Sequence, residues 1–121
     1  MRRTRFTAFA VPALAVLALA GCGSITVPVS GTLSTGTSFA GQVTANLNGK
    51  GTFEAIGADG LYCSGTYDPF DRAETIVMPA TCRDGRTAMV AATRNPDKVS
   101  GFGTISFNDG TTGDFKFGKG N

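Results

Sequence analysis

Three kinds of side chain in this sequence could do chemistry, and a fourth is missing. The missing one is histidine, of which the 121 residues hold none. Without imidazole there is no Ser-His or Cys-His nucleophile system and no histidine metal site. Thiols stand at Cys22, Cys63 and Cys82. None of them forms a Cys-x-x-Cys knuckle, so no metal and no cofactor is expected. Carboxylates gather at Asp68, Asp71 and Glu74. Such a group suits a weak calcium site or a glycosidase pair, but behind Asp68-Pro69 it reads as a solvated turn. Arg83 and Arg86 flank Asp84; they suit an acidic partner, or simply keep a turn tip wet. On these grounds the chain is not expected to be an enzyme.

The elements that must carry these residues follow from a recurring dipeptide. Asp-Gly occurs at Asp59-Gly60, Asp84-Gly85 and Asp109-Gly110, the aspartates 25 residues apart each time. Each lies between runs of alternating apolar and polar residues, a strong short-range hairpin signal because glycine takes the positive φ of the turn. Around each dipeptide both apolar sets have the same parity, so the loop holds an odd number of residues. Three-residue loops satisfy this: Ala58-Asp59-Gly60, Arg83-Asp84-Gly85 and Asn108-Asp109-Gly110, each a type I turn closed by a left-handed glycine. Asn95-Pro96-Asp97-Lys98 instead needs an even loop, and proline second suits a four-residue type I turn. The sequence therefore predicts an all-β fold. It is an antiparallel meander of about seven or eight strands built from three hairpins, forming an open curled sheet or a small barrel.

That register places Cys63 and Cys82 on one core-facing side near the turn ends of neighbouring hairpins. A bridge between them would close a short loop and contribute ~3 kcal/mol in the chain-entropy model. The opposite face is mostly Thr, Ser, Asp and Lys, with one exception. Val77 is expected opposite Ala91, Ala91 opposite Phe102, and Met89 beside Pro79. This apolar strip is either covered, by residues 25–29 or by the curl of the sheet, or it is a contact patch for a partner.

The first 22 residues have the form of an export leader. Arg2, Arg3 and Arg5 are basic, and Phe6 to Ala20 is apolar but for Thr7 and Pro12. That run is short for a membrane span, which takes about 20 residues. It ends in Leu19-Ala20-Gly21-Cys22, which resembles the lipobox of bacterial lipoproteins. The resemblance implies cleavage before Cys22, a lipid on its sulfur, and residence in the cell envelope with the membrane as partner. Gly23 after the cysteine, where some inner-membrane lipoproteins carry aspartate, favours the periplasmic side of the outer membrane. Removing the leader takes its three arginines from the 11 basic residues, leaving eight against nine acidic ones and a formal charge of −1. No basic stripe survives, so neither nucleic acid nor anionic lipid headgroups are expected partners. Export also meets an oxidising compartment, where the remaining pair of cysteines is expected to be bridged.

The domain organisation reads as signal peptide 1–21, lipidated cysteine and Ser/Thr/Gly tether 22–36, and a small β domain 37–121. Ile25, Val27 and Val29 alternate within the tether, so part of it could dock instead as an edge strand tolerant of Pro28. Gly49-Lys50-Gly51-Thr52-Phe53 with Asp59-Gly60, and Gly101-Phe102-Gly103-Thr104-Ile105 with Asp109-Gly110, resemble MORN repeats. That resemblance implies stacked hairpins serving as a scaffold or contact surface. The functional expectation is a lipid-anchored structural or binding module, with an envelope protein as a further partner. The alternative is an inhibitor of a periplasmic hydrolase, presenting residues 68–74 or the Arg83–Arg86 tip.

Overall fold

Eight strands follow one another through residues 23–118, the part of the chain that the computed structural model describes. They are β1 (Ser24–Leu33), β2 (Ser38–Asn46), β3 (Gly51–Gly57), β4 (Tyr62–Tyr67), β5 (Thr75–Cys82), β6 (Thr87–Arg94), β7 (Gly101–Phe107) and β8 (Thr112–Phe117). Each pairs antiparallel with the next, and β8 pairs back onto β1, so the meander closes into a barrel. The leader and the lipobox lie outside the described residues.

One turn chemistry recurs. At each Asp-Gly the residue before the loop and the residue after it are joined by backbone, as in Gly57 N–H to Leu61 O at 2.8 Å, leaving the three expected loop residues. The aspartate carboxylate accepts the amide two residues on: Asp59 from Leu61 (3.1 Å), Asp84 from Arg86 (3.0 Å) and Asp109 from Thr111 (2.9 Å). The glycine between sits near φ +93° in all three. Asn48-Gly49 repeats the pattern, with Asn48 accepting from Lys50 at 3.1 Å.

What bends the sheet into a ring is a set of cross-strand pairs of glycine with an aromatic. Gly31 faces Phe39, Gly51 faces Tyr67, Gly65 faces Phe53, Gly101 faces Phe117 and Gly103 faces Phe115. In each the ring lies where the glycine would carry a Cβ, with ring atoms 2.5–2.7 Å from that position. Inside a tightly curved sheet there is room for a ring only where the neighbour has no side chain. The Gly-x-Gly runs thus serve curvature, and the sheet closes rather than extending as an array. Valines, leucine, phenylalanines and both cysteines fill the interior. Threonine, serine and charged residues face out, the inverse of a lipid-embedded barrel.

Three expectations need correction. Residues 23–36 are not a tether but follow the alternative of a docked strand, at a seam and not an edge: Ser24–Leu33 is a ten-residue strand, paired on both sides, with Val27, Val29 and Leu33 turned toward the core. The ring has an open edge on both β2 and β8, and β1 covers both. Pro28 is accommodated because it lies just past the last β1–β8 pair, Val29 with Phe117. The β6–β7 register is shifted by two residues, so Ala91 faces Thr104 and Phe102 faces Thr93. Here the loop is Pro96–Val99, closed by Asn95 N–H to Ser100 O at 2.9 Å. Lys98 takes φ +67°, and Asp97 accepts the amides of Val99 and Ser100 and the Ser100 hydroxyl. A shift of two preserves parity, so the faces are as expected. Finally, neither residues 25–29 nor the curl covers the apolar strip, because β1 lies between β2 and β8 and the strip faces outward.

Candidate functional site at the open end of the barrel

The two ends of the barrel differ. One carries the three Asp-Gly turns and the Ser34–Thr37 turn, and the side chains beneath them, including Leu33, Phe39, Leu61 and Phe107, are buried. At the other end the interior residues Val27, Val43, Phe53 and Ala92 are only half-buried. They line a cavity of about 110 Å3 that opens between residues 68–74 and the β6–β7 turn. An engineered apolar cavity of about 150 Å3 takes a benzene ring; this one is smaller and suits the end of an alkyl chain.

Four polar residues border it: Glu54, whose carboxylate is taken up by Gln42 and Tyr62, and Tyr67, Arg94 and Lys98 at the mouth. Arg94 is the last residue of β6, on the parity that points inward. Its guanidinium ties down the β4–β5 connection by donating to the carbonyl oxygens of Pro69 (3.5 Å), Ala73 (2.5 Å) and Asp71. Its Nε is buried and has no hydrogen-bond partner among the described residues. A buried donor left unmade is costly, about 1–3 kcal/mol, so this one suits an acceptor entering the mouth. Tyr67 donates to Thr44 O at 3.4 Å. Burial pushes its phenol pKa up, and the nearby Arg94 charge pulls against that. The arrangement holds an apolar group inside and an anionic or acceptor end at the rim.

The residues singled out from sequence fall elsewhere. Cys63 and Cys82 face each other across β4 and β5 and are bonded, with Cα atoms 4.0 Å apart. Asp68 and Asp71 each cap their own loop, accepting the amides of Phe70 and Ala73 at 2.9 Å. No group of three acidic or thiol ligands forms among the described residues. Arg86 bridges Asp84 (2.9 Å) and Asp109 (3.1 Å), joining two turn tips, and Arg83 lies over the Tyr62 ring at 4.1 Å. Val77, Met89 and Phe102 are each more than half exposed on the outer wall, with Ala91 half-buried between them. The mouth itself was missed. Its signal was present in the sequence, since Arg94 is a charge on the inward parity of an otherwise apolar set.

A second, shallower groove runs along the outside of β2 to β5. There Gln42 and the Tyr62 hydroxyl both donate to Glu54 at 3.2 Å.

No protein-family model matches the sequence, and no curated protein does. Among solved structures the chain is similar to designed barrels. A redesigned β barrel, mFAP0, bound to DFHBI shares 15% identity at TM-score 0.59, over 78% of this chain and 95% of that one. A second, mFAP1, also bound to DFHBI, shares 14% at TM-score 0.59, over 78% and 92%. A third, a fluorescence-activating β barrel designed de novo, shares 15% at TM-score 0.56, over 77% and 89%. At such identities the likeness is one of fold.

Proposed function

We propose that the protein is a lipid-anchored binding module of the bacterial cell envelope, without enzymatic activity. Its ligand is a small apolar molecule with an anionic end, held in the mouth of the barrel. The observation that carries this reading is the apolar cavity with the unpartnered Arg94 Nε at its entrance. Barrels of the same fold have been solved with DFHBI bound, which supports a ligand-holding use of the architecture. The envelope address rests on Leu19-Ala20-Gly21-Cys22, with lipid on Cys22 and the outer membrane as the favoured site. The test is titration of the full-length protein with n-alkyl carboxylates of increasing length, followed by NMR. Saturable shifts at Val27, Val43 and Phe53, abolished in a folded Ala92→Leu variant, support the reading. Shifts scattered over the outer wall, or none, overturn it.

The exposed strip of Val77, Met89, Ala91 and Phe102 favours a second reading, in which the outer wall contacts an envelope protein. Capture from detergent-solubilised envelope, lost with Phe102→Ser, supports it. A hydrolase in the eluate would make the contact inhibitory, through the Arg94-braced residues 68–74; a wall or membrane-assembly component would make it structural.

A further inference from the structure

The open end of the barrel is also where the anchor proposed above would attach. Gly23, the residue after Cys22, accepts a hydrogen bond from the Leu47 amide at 2.8 Å and so is pinned to the mouth rim. One residue spans at most about 3.6 Å, so an anchor at Cys22 holds the rim against the bilayer with no slack. The rim is shaped for such contact. Ile25, Leu47, Phe70 and Val99 surround the mouth and are 40–62% exposed, while the turns of the closed end carry Ser, Thr, Ala, Asp, Asn, Arg and Gly, with Ile56 the exposed large apolar side chain beside them. Lys50, Arg72 and Lys98 lie on the same rim loops, beside Asp68, Asp71, Glu74 and Asp97.

We infer that the barrel stands mouth-down on the bilayer, with Ile25, Leu47, Phe70 and Val99 in the interface and the cavity open toward the acyl chains. This builds on the anchored binding module proposed above and names the source of its ligand, a lipid acyl chain or free fatty acid from the membrane. An apolar rim facing water costs free energy that contact with the interface recovers. An acyl end can then pass from bilayer to cavity without crossing water.

The chain has no tryptophan, so single reporters read without background. Phe70→Trp and Val99→Trp report on the mouth, and Ala58→Trp on the closed end. All three positions are exposed, and far-UV circular dichroism checks each fold. The full-length lipidated protein is placed in vesicles of phosphatidylethanolamine and phosphatidylglycerol containing brominated chains. The expected result is blue-shifted emission and severalfold quenching by bromolipid at 70 and 99, with Ala58→Trp quenched by aqueous iodide alone. Equal iodide access at all three positions overturns the orientation. The mass of the N-terminal peptide reads lipidation of Cys22 separately. A lipidated protein with a wet mouth therefore refutes this inference alone, and a docked mouth without lipid refutes the anchor alone.

Discussion

Cys63 lies directly across from Cys82, and theirs is one of only two residue pairs that join β4 to β5, the other being Ser64 with Thr81. Every other seam holds at least five pairs. The disulfide therefore closes the barrel where the hydrogen-bond ladder is shortest. Pro79, which has no N–H to offer, lies on β5 just beyond that ladder.

Reduction should accordingly weaken the fold and open it at this seam first. The bridge spans 19 residues of sequence, for which the chain-entropy model gives about 3 kcal/mol. Denaturant melts of oxidised and reduced protein measure the loss. Hydrogen exchange should show β4 and β5 losing protection ahead of β7 and β8.

Gly51 offers a cleaner test of the curvature argument. The three atoms nearest its missing Cβ are all ring atoms of Tyr67, at 2.5–2.9 Å. Gly51→Ala should cost about 1–3 kcal/mol by overpacking. Against a Tyr67→Leu background most of that cost should vanish, and a double-mutant cycle gives the coupling.

Arg94 braces residues 68–74 through three carbonyl oxygens. Arg94→Met keeps the stem and removes the donors, at an expected cost of about 1–3 kcal/mol. The same change should free the connection, so limited trypsin digestion after Arg72 should accelerate. Unchanged digestion would show that the loop is held by its own aspartate caps instead.

Phe102→Ser should leave stability within about 0.5 kcal/mol of the parent, as exposed positions usually do. Thermal melts settle this independently of any partner. A larger loss would mean that the outer strip is covered in the folded protein.

Acid should destabilise the turns in a defined window. Amide donation from Arg86 to Asp84 and from Thr111 to Asp109 holds those two carboxyl pKa values low, and the Ser100 hydroxyl does the same for Asp97. A folded pKa below the unfolded one adds stability that is complete above the ordinary value of 3.8 and lost as pH falls through the lowered value. Melting temperature should therefore change little down to about pH 5 and fall below about pH 4. Asp97→Ala should flatten part of that acid limb.

The hairpins were legible because two independent signals agreed: parity of the apolar residues and a turn dipeptide of known geometry. That agreement fixed the three Asp-Gly loops, the facing of Cys63 and Cys82, and the outward strip. It failed where one signal was silent. Residues 24–33 were ambiguous because the alternation of Ile25, Val27 and Val29 competes with a Ser/Thr/Gly-rich composition and Pro28, and the demand for ring closure decides for the strand. The β6–β7 loop moved by one residue, and its register by two, because nothing in a Lys-Val-Ser run announces that Lys98 adopts the left-handed conformation. The mouth was written in Arg94, a charge on inward parity, but its cavity depends on how ring and glycine pair across strands. No local pattern reports that volume.

The closing seam between β1 and β8 also says something about how the barrel forms. Seven of its eight pairings join neighbours in the chain and can zip as they meet. The eighth brings Val29 to Phe117, nearly a whole domain apart in sequence. Closure entropy grows only slowly with loop length, but it must be met before that contact forms. Folding should thus consist of fast local zippering and one slow joining of the two end strands. Until that step the apolar inner faces of β1 and β8 stay open to water, and the chain is most exposed to aggregation.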